Sequence, residues 1–257
     1  MYIIKHKLKI KKKINLVFFH GWGLDSNIWT YILTILKPYY NIYFIDFPGF
    51  GKNIKEPLKN FNEISQKILK KLPEKVIWIG WSMGGLMATD IGLKYPERTK
   101  GIILITSSPC FIEKKNWLGI KIVTLKKIKK EILTNYSNFL KSFQVLHIKN
   151  KLKINIHVLN FNNIKKNFLK PTKNSIKYGL KWLIQIDQRK KICNIQVPLL
   201  QIYGSLDNMV PARIDVKLKN LYQKHYSYVI PYSKHAPFFS HPKELCYIIM
   251  QFINHID

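Results

Sequence analysis

Gly80-Trp81-Ser82-Met83-Gly84 sits between an apolar run, Val76 to Ile79, and a helix-like run, Leu86 to Leu93. The spacing is G-x-S-x-G, and the flanks read as strand, tight turn and helix, the context that holds a serine exposed at the tip of a strained turn. Small residues at the glycine positions let strand and helix approach without collision. As a bare pattern a Gly/Ser turn after a strand is common, so the partners of Ser82 decide its meaning.

A serine hydroxyl is a poor nucleophile until a base removes its proton, and that base is usually an imidazole oriented by a carboxylate. Asp207 follows an apolar run ending at Tyr203, and His235 follows a run ending at Ile230. The chain order Ser, Asp, His, each in a loop after a strand, is the order expected for a triad built on this kind of turn. Read singly, Asp207 near Gly204 and Pro211 is a turn residue and His235 a structural histidine; read together with Ser82 they form a catalytic set. The competing acids are worse placed, because Asp90 falls in the helix after the turn, Asp187 late in the chain's middle segment, and Asp46 before the serine. His241 precedes the helix-starting Pro242 and reads as a cap or surface residue. His147 and His157 read as pocket-lining or solvated.

Attack by Ser82 on a carbonyl creates an oxyanion, which two backbone N–H groups can stabilise. The residue after the nucleophile, Met83, supplies one. The other is expected from His20-Gly21-Trp22-Gly23, where the glycines let the Trp22 amide point inward, with His20 bracing the loop.

Short β-rich runs alternate with helical patterns outward from this centre, which argues for an α/β fold with a mostly parallel sheet covered by helices on both faces. Ile14 to Phe19 and Asn41 to Phe47 read as strands before the serine, Gly101 to Thr106, Val197 to Tyr203 and Tyr226 to Ile230 as strands after it. Helices are expected from Asp25 or Ser26, from about Asn62 to Leu72, near Pro211 and from Pro242. Between Phe111 and Lys190 the alternation stops, and basic amphipathic runs such as Ile122 to Leu140 read as an all-helical insertion. The expected organisation is a core of residues 1–110 and 191–257 with residues 111–190 inserted as a lid.

The 257 residues carry 43 Lys and Arg against 14 Asp and Glu, a net charge of +29 with only three arginines, Arg98, Arg189 and Arg213. Such a charge fits an acidic partner or a compositional bias towards lysine, and no zinc-finger, basic-zipper or RNP-type motif accompanies it, so nucleic acid is not the expected partner. Cys110, Cys193 and Cys246 lie far apart and suggest neither a disulfide framework nor a zinc site. The apolar run after the basic N-terminus is too short for a signal peptide or a membrane span. A soluble, cytoplasmic protein without metal or cofactor is expected.

HGWG, DFPGFG at Asp46 to Gly51, GWSMGG at Gly80 to Gly85, PER at Pro96 to Arg98, SSPCF at Ser107 to Phe111, YGSLDNMVP at Tyr203 to Pro211 and KHAPFFSHP at Lys234 to Pro242 together resemble the BioH family. These are the pimeloyl-[acyl-carrier protein] methyl ester carboxylesterases of biotin synthesis. The resemblance implies an enzyme that removes the methyl ester at the far end of a carrier-bound pimeloyl chain and releases methanol; the expected fold is an eight-stranded-type α/β-hydrolase with a helical lid, and a monomer is expected. Ser82, Asp207 and His235 would be catalytic, Trp22 and Met83 the oxyanion donors. Trp22, Ser82, Met83, Phe143, Gln144, Val145, Leu146, His147 and His235 would contact substrate. Phe143 with Phe139 and Leu146 could equally pack a lid helix at helical spacing. The positions aligned with the family's carrier-gripping arginines read Asn138, Ser142, Asn155 and Leu159, a departure that implies more diffuse, lysine-based docking of the acidic acyl carrier protein. Two other readings stay open: an esterase of other small esters on the same fold, and a non-catalytic or nucleic-acid-binding protein on a hydrolase scaffold.

Overall fold

The computed structural model describes residues 1–7, 14–140, 142, 168–222 and 225–257. Seven strands form one sheet: β1 (Ile3–His6), β2 (Asn15–Phe19), β3 (Asn41–Ile45), β4 (Val76–Trp81), β5 (Thr99–Ile105), β6 (Leu199–Gly204) and β7 (His225–Ile230). Their order is β1-β3-β2-β4-β5-β6-β7, with β1 antiparallel to β3 and every other pairing parallel. Among the described residues the sheet has seven strands where an eight-stranded type is expected, and the basic segment before β2 supplies one of them, β1.

The helices are α1 (Thr30–Leu36), α2 (Phe61–Leu69), α3 (Met83–Lys94), α4 (Ile122–Thr134), α5 (Lys173–Gln185), α6 (Asp215–Leu221), α7 (Pro237–Ser240) and α8 (Pro242–Ile256). They cover both faces of the sheet. Alternation along each strand sorts the side chains between two cores. Val17, Phe19, Trp78, Ile102 and Leu104 join Ile64, Ile68, Leu86 and Ile91 of α2 and α3 on one face. Leu16, Phe18, Ile77, Ile79, Ile103 and Ile105 join Ile32, Leu36, Leu245, Ile249 and Ile253 of α1 and α8 on the other. Burying one such side chain contributes about 1.5–3 kcal/mol, so doubly covered strands read as continuous apolar runs.

Local signals set the helix ends. Asn60 and Glu63 make a reciprocal capping box at α2, and Asp25 caps the single 3-10 turn, Ser26–Trp29, that precedes α1. The segment between β5 and β6 differs from an all-helical reading. Cys110 pairs with Asp187, Ile112 with Ile120 and Lys114 with Trp117 as isolated bridges. The run expected from Ile122 to Leu140 breaks at Asn135, whose φ of −144° and ψ of 65° cap α4. Leu125, Ile132, Ile176, Leu180 and Leu183 of α4 and α5 belong to the same apolar cluster as α3. These two helices therefore share the core of the sheet.

The order of strands reverses where β2 lies beside β4, and the carboxyl ends of such neighbours open the crevice in which parallel α/β sheets hold ligands. His20 to Gly23 follow β2 there, and Ser82 follows β4.

Candidate active site

Ser82 has φ 52° and ψ −120°, in a region that costs a non-glycine residue about 1–3 kcal/mol. The turn is possible because of its neighbours. A Cβ on Gly80 would lie 2.5 Å from the carbonyl of Gly84, and a Cβ on Gly84 would lie 2.4 Å from the carbonyl oxygen of Phe19. Glycine at both positions seats α3 directly on the ends of β4 and β2. The Ser82 amide donates to the Ile105 carbonyl at 3.0 Å, and the Ser107 hydroxyl donates to the Ser82 carbonyl at 2.7 Å.

Asp207 and His235 arrive from the next two strands. Gly204 ends β6, where a Cβ would lie 2.5 Å from the Lys234 carbonyl oxygen; its absence lets the two loops touch. The Leu206 amide donates to the Ser233 carbonyl at 2.8 Å and laces them together. Asp207 Oδ1 accepts from the amides of Met209 at 2.8 Å and Val210 at 3.2 Å, so it is a turn residue as well. Its other oxygen, Oδ2, lies 2.8 Å from His235 Nδ1. His235 Nε2 lies 3.0 Å from Ser82 Oγ. All three residues are buried, and a carboxylate on Nδ1 places the imidazole proton there and leaves Nε2 to accept the serine proton.

Met83 is the first residue of α3, and the amide of a first helical residue has no acceptor within its own helix. Trp22 lies between Gly21 and Gly23, the latter at φ 79°. Its indole N–H donates to the Ile176 carbonyl of α5 at 2.9 Å. A Cβ on Gly179 would lie 2.4 Å from the Trp22 ring, so α5 presses on this loop. His20 Nδ1–H donates to the Gly21 carbonyl at 2.7 Å, and Nε2 accepts from the Phe47 amide at 3.0 Å. Burial pushes the His20 pKa down against the opposing pull of Asp46 and the Gly21 carbonyl. A neutral, doubly held ring braces the loops after β2 and β3.

Two acids that the sequence did not single out for this role support the same loop. Asp46 accepts from the amides of Ser26 at 2.7 Å and Lys52 at 2.9 Å. Asp25 accepts from the Asn27 amide at 3.0 Å and from the Leu169 amide at 2.9 Å. Burial pushes Asp25 up to about 6, with these amide bonds pulling down and Asp46 adding to the rise. The motif D-F-P-G-F-G carried the signal for Asp46; nothing local marked Asp25 beyond its capping role.

Among the other candidates, Asp90 pairs with Lys94 at 2.9 Å, Asp187 pairs with Arg189 at 2.7 Å, and His241 Nδ1 lies 2.8 Å from Ser240 Oγ. Phe143 to His147, His157, Asn155 and Leu159 lie outside the described residues, while Asn138 and Ser142 are exposed. Among the described residues no group of three His, Cys, Asp or Glu could hold a metal ion, and no helix is long and apolar enough to cross a membrane.

A strand–turn–helix serine, with acid and base from later strands of the same sheet, is the arrangement of an α/β-hydrolase, and the chain belongs to that family: the model of the alpha/beta hydrolase fold matches residues 14–242. A bromoperoxidase from Bacillus anthracis superposes with a TM-score of 0.86 at 19% identity, over 98% of this chain and 95% of the other. An esterase from Exiguobacterium antarcticum superposes with a TM-score of 0.80 at 18% identity, over 98% and 95%. These likenesses speak to the fold. Sequence narrows it further. A pimeloyl-[acyl-carrier protein] methyl ester esterase of Wigglesworthia glossinidia brevipalpis is 42% identical over 242 residues, 93% of each chain. Another, of Hamiltonella defensa, is 35% identical over 240 residues, again 93% of each. The chain belongs to the family of pimeloyl-[acyl-carrier protein] methyl ester esterases and is a carboxylic ester hydrolase.

Proposed function

We propose that this enzyme hydrolyses the methyl ester of a pimeloyl chain carried on acyl carrier protein, in biotin biosynthesis, with Ser82, His235 and Asp207 as its triad. Ser82 Oγ attacks the ester carbonyl carbon while His235 Nε2 takes the hydroxyl proton. The negative charge that develops on the carbonyl oxygen is met by the backbone N–H groups of Met83 and Trp22. Collapse of this intermediate breaks the bond to the methoxy oxygen, which leaves as methanol with the proton from His235. Water then attacks the acyl-serine, again giving a proton to His235, and the second collapse returns that proton to Ser82 and frees the carboxylic acid, which loses its remaining proton to solvent. Asp207 keeps the ring in the working tautomer and faces the imidazolium formed in each half.

The observation that carries this reading is the unbroken relay from Oδ2 through both ring nitrogens to Oγ, at 2.8 and 3.0 Å, in a chain 42% identical to an esterase of that name. In the same reading residues 111–190 form a lid over a cytoplasmic, monomeric enzyme. Acyl carrier protein, which is acidic, meets lysines of this segment such as Lys126, Lys127, Lys129 and Lys130, all exposed on α4. By the family resemblance, Phe143 to His147 would contact the acyl chain. The test is to give the purified enzyme the methyl ester of pimeloyl-carrier beside a panel of short free esters and follow products by mass. A clear preference for the carrier-linked ester is expected. Equal rates on all of them would reduce the assignment to a general esterase.

A further inference from the structure

We propose that Trp81 and Thr106 are positioning residues for the base, gripping the main-chain carbonyl of His235 so that its ring stays within reach of both Ser82 and Asp207. This rests on the triad assigned above. His235 lies in the non-helical turn between β7 and α7, so no regular element holds its backbone. Its carbonyl oxygen instead accepts from the indole N–H of Trp81 at 2.7 Å and from the Thr106 hydroxyl at 2.8 Å. The donors sit at the carboxyl ends of adjacent strands, Trp81 closing β4 and Thr106 following β5, and both are fully buried.

Each donor is tied to another part of the site. Trp81 immediately precedes Ser82, so one residue sets both the nucleophile's turn and the base's loop. Its ring is wedged: a Cβ on Gly21 would lie 2.5 Å from it, and the Phe238 ring packs edge-on at 5.0 Å. Thr106 has φ 43°, a costly conformation for a β-branched residue. Its amide donates to the Ile202 carbonyl at 2.7 Å, which locks that backbone. Glycine would hold the same backbone with less strain; what threonine adds is a hydroxyl aimed at His235. A ring that must satisfy two hydrogen bonds at once tolerates little drift, since misplacement by about 1 Å can cost about 100-fold in rate.

The test uses the full chain, a chromogenic short-chain ester and a fluorophosphonate label for Ser82, with melting temperature as the check on folding. Thr106→Val, which deletes the hydroxyl at constant shape, is expected to lower kcat and the labelling rate about 10-fold with KM within about twofold. Thr106→Ser is expected to restore kcat to within about threefold of wild type, and Trp81→Phe to lose about 10-fold independently. Wild-type kcat in both Thr106→Val and Trp81→Phe overturns the proposal, as does a Thr106→Ser variant no better than Thr106→Val, or a change confined to KM. If Thr106→Val does not fold, Trp81→Phe decides: wild-type kcat in it overturns the proposal, and a loss of about 10-fold in kcat with KM unchanged supports it. Ser82→Ala and His235→Ala separate the two levels: kcat near wild type in them sinks the triad itself, whereas strongly impaired controls beside unimpaired Trp81→Phe and Thr106→Val sink the positioning role alone.

Discussion

Asp207→Asn changes one atom and places the amide before two incompatible demands. Oδ1 accepts the amides of Met209 and Val210, at 2.8 and 3.2 Å, and Oδ2 faces His235 Nδ1 at 2.8 Å. An asparagine that keeps its oxygen on the two backbone amides turns its NH2 to His235. The ring must then accept at Nδ1 and carry its proton on Nε2, where it cannot take the proton of Ser82. The opposite flip serves the histidine but sets NH2 against two N–H groups, and leaving each buried donor unmet costs about 1–3 kcal/mol. With both amides affected, the working arrangement lies about 3–4 kcal/mol above the idle one, which at 1.36 kcal/mol per decade is a kcat loss of about 100- to 1000-fold. KM should move little, since Asp207 touches no substrate in this scheme, and the melting temperature should stay within a few degrees. Steady-state hydrolysis and fluorophosphonate labelling of Ser82 should fall together. A variant retaining more than about a tenth of wild-type kcat would refute the tautomer reasoning.

Gly84→Ala would put a Cβ 2.4 Å from the Phe19 oxygen and 2.7 Å from the His20 oxygen, both rigid backbone; a destabilisation of about 2–3 kcal/mol in urea unfolding is expected, and an unchanged midpoint would sink the close-packing account. Asp25 is raised from 3.8 to about 6 in the fold, so the folded state holds that proton more tightly and the associated stability, complete below about pH 4, is lost as pH climbs through about 6. The unfolding free energy of wild type minus that of Asp25→Asn should therefore fall by about 3 kcal/mol across that window, and a pH-independent difference would contradict it. If lysines steer the carrier, raising salt from about 0.05 to 0.5 M should raise KM for the carrier-linked ester and leave a free methyl ester untouched, whereas equal effects on both would remove the docking surface from the scheme.

Much of this was written in local patterns. Apolar runs doubly covered by helices announced a parallel sheet, and Gly80 and Gly84 around Ser82 announced the sharp turn, because backbone sterics leave few residues able to make one. The chain order of Ser82, Asp207 and His235 on successive strands was likewise legible, since each strand delivers its following loop to the same edge. Side chains that act across long sequence separations were not. The grip of Trp81 and Thr106 on His235, the Asp25 bond to Leu169 and the pressure of α5 on Trp22 join residues more than 120 positions apart, and no period or motif encodes such a meeting. The bridge of Cys110 with Asp187 escaped for the same reason. Short-range preference determined what each segment could become; only packing the segments into one core decided which buried donor would face which acceptor.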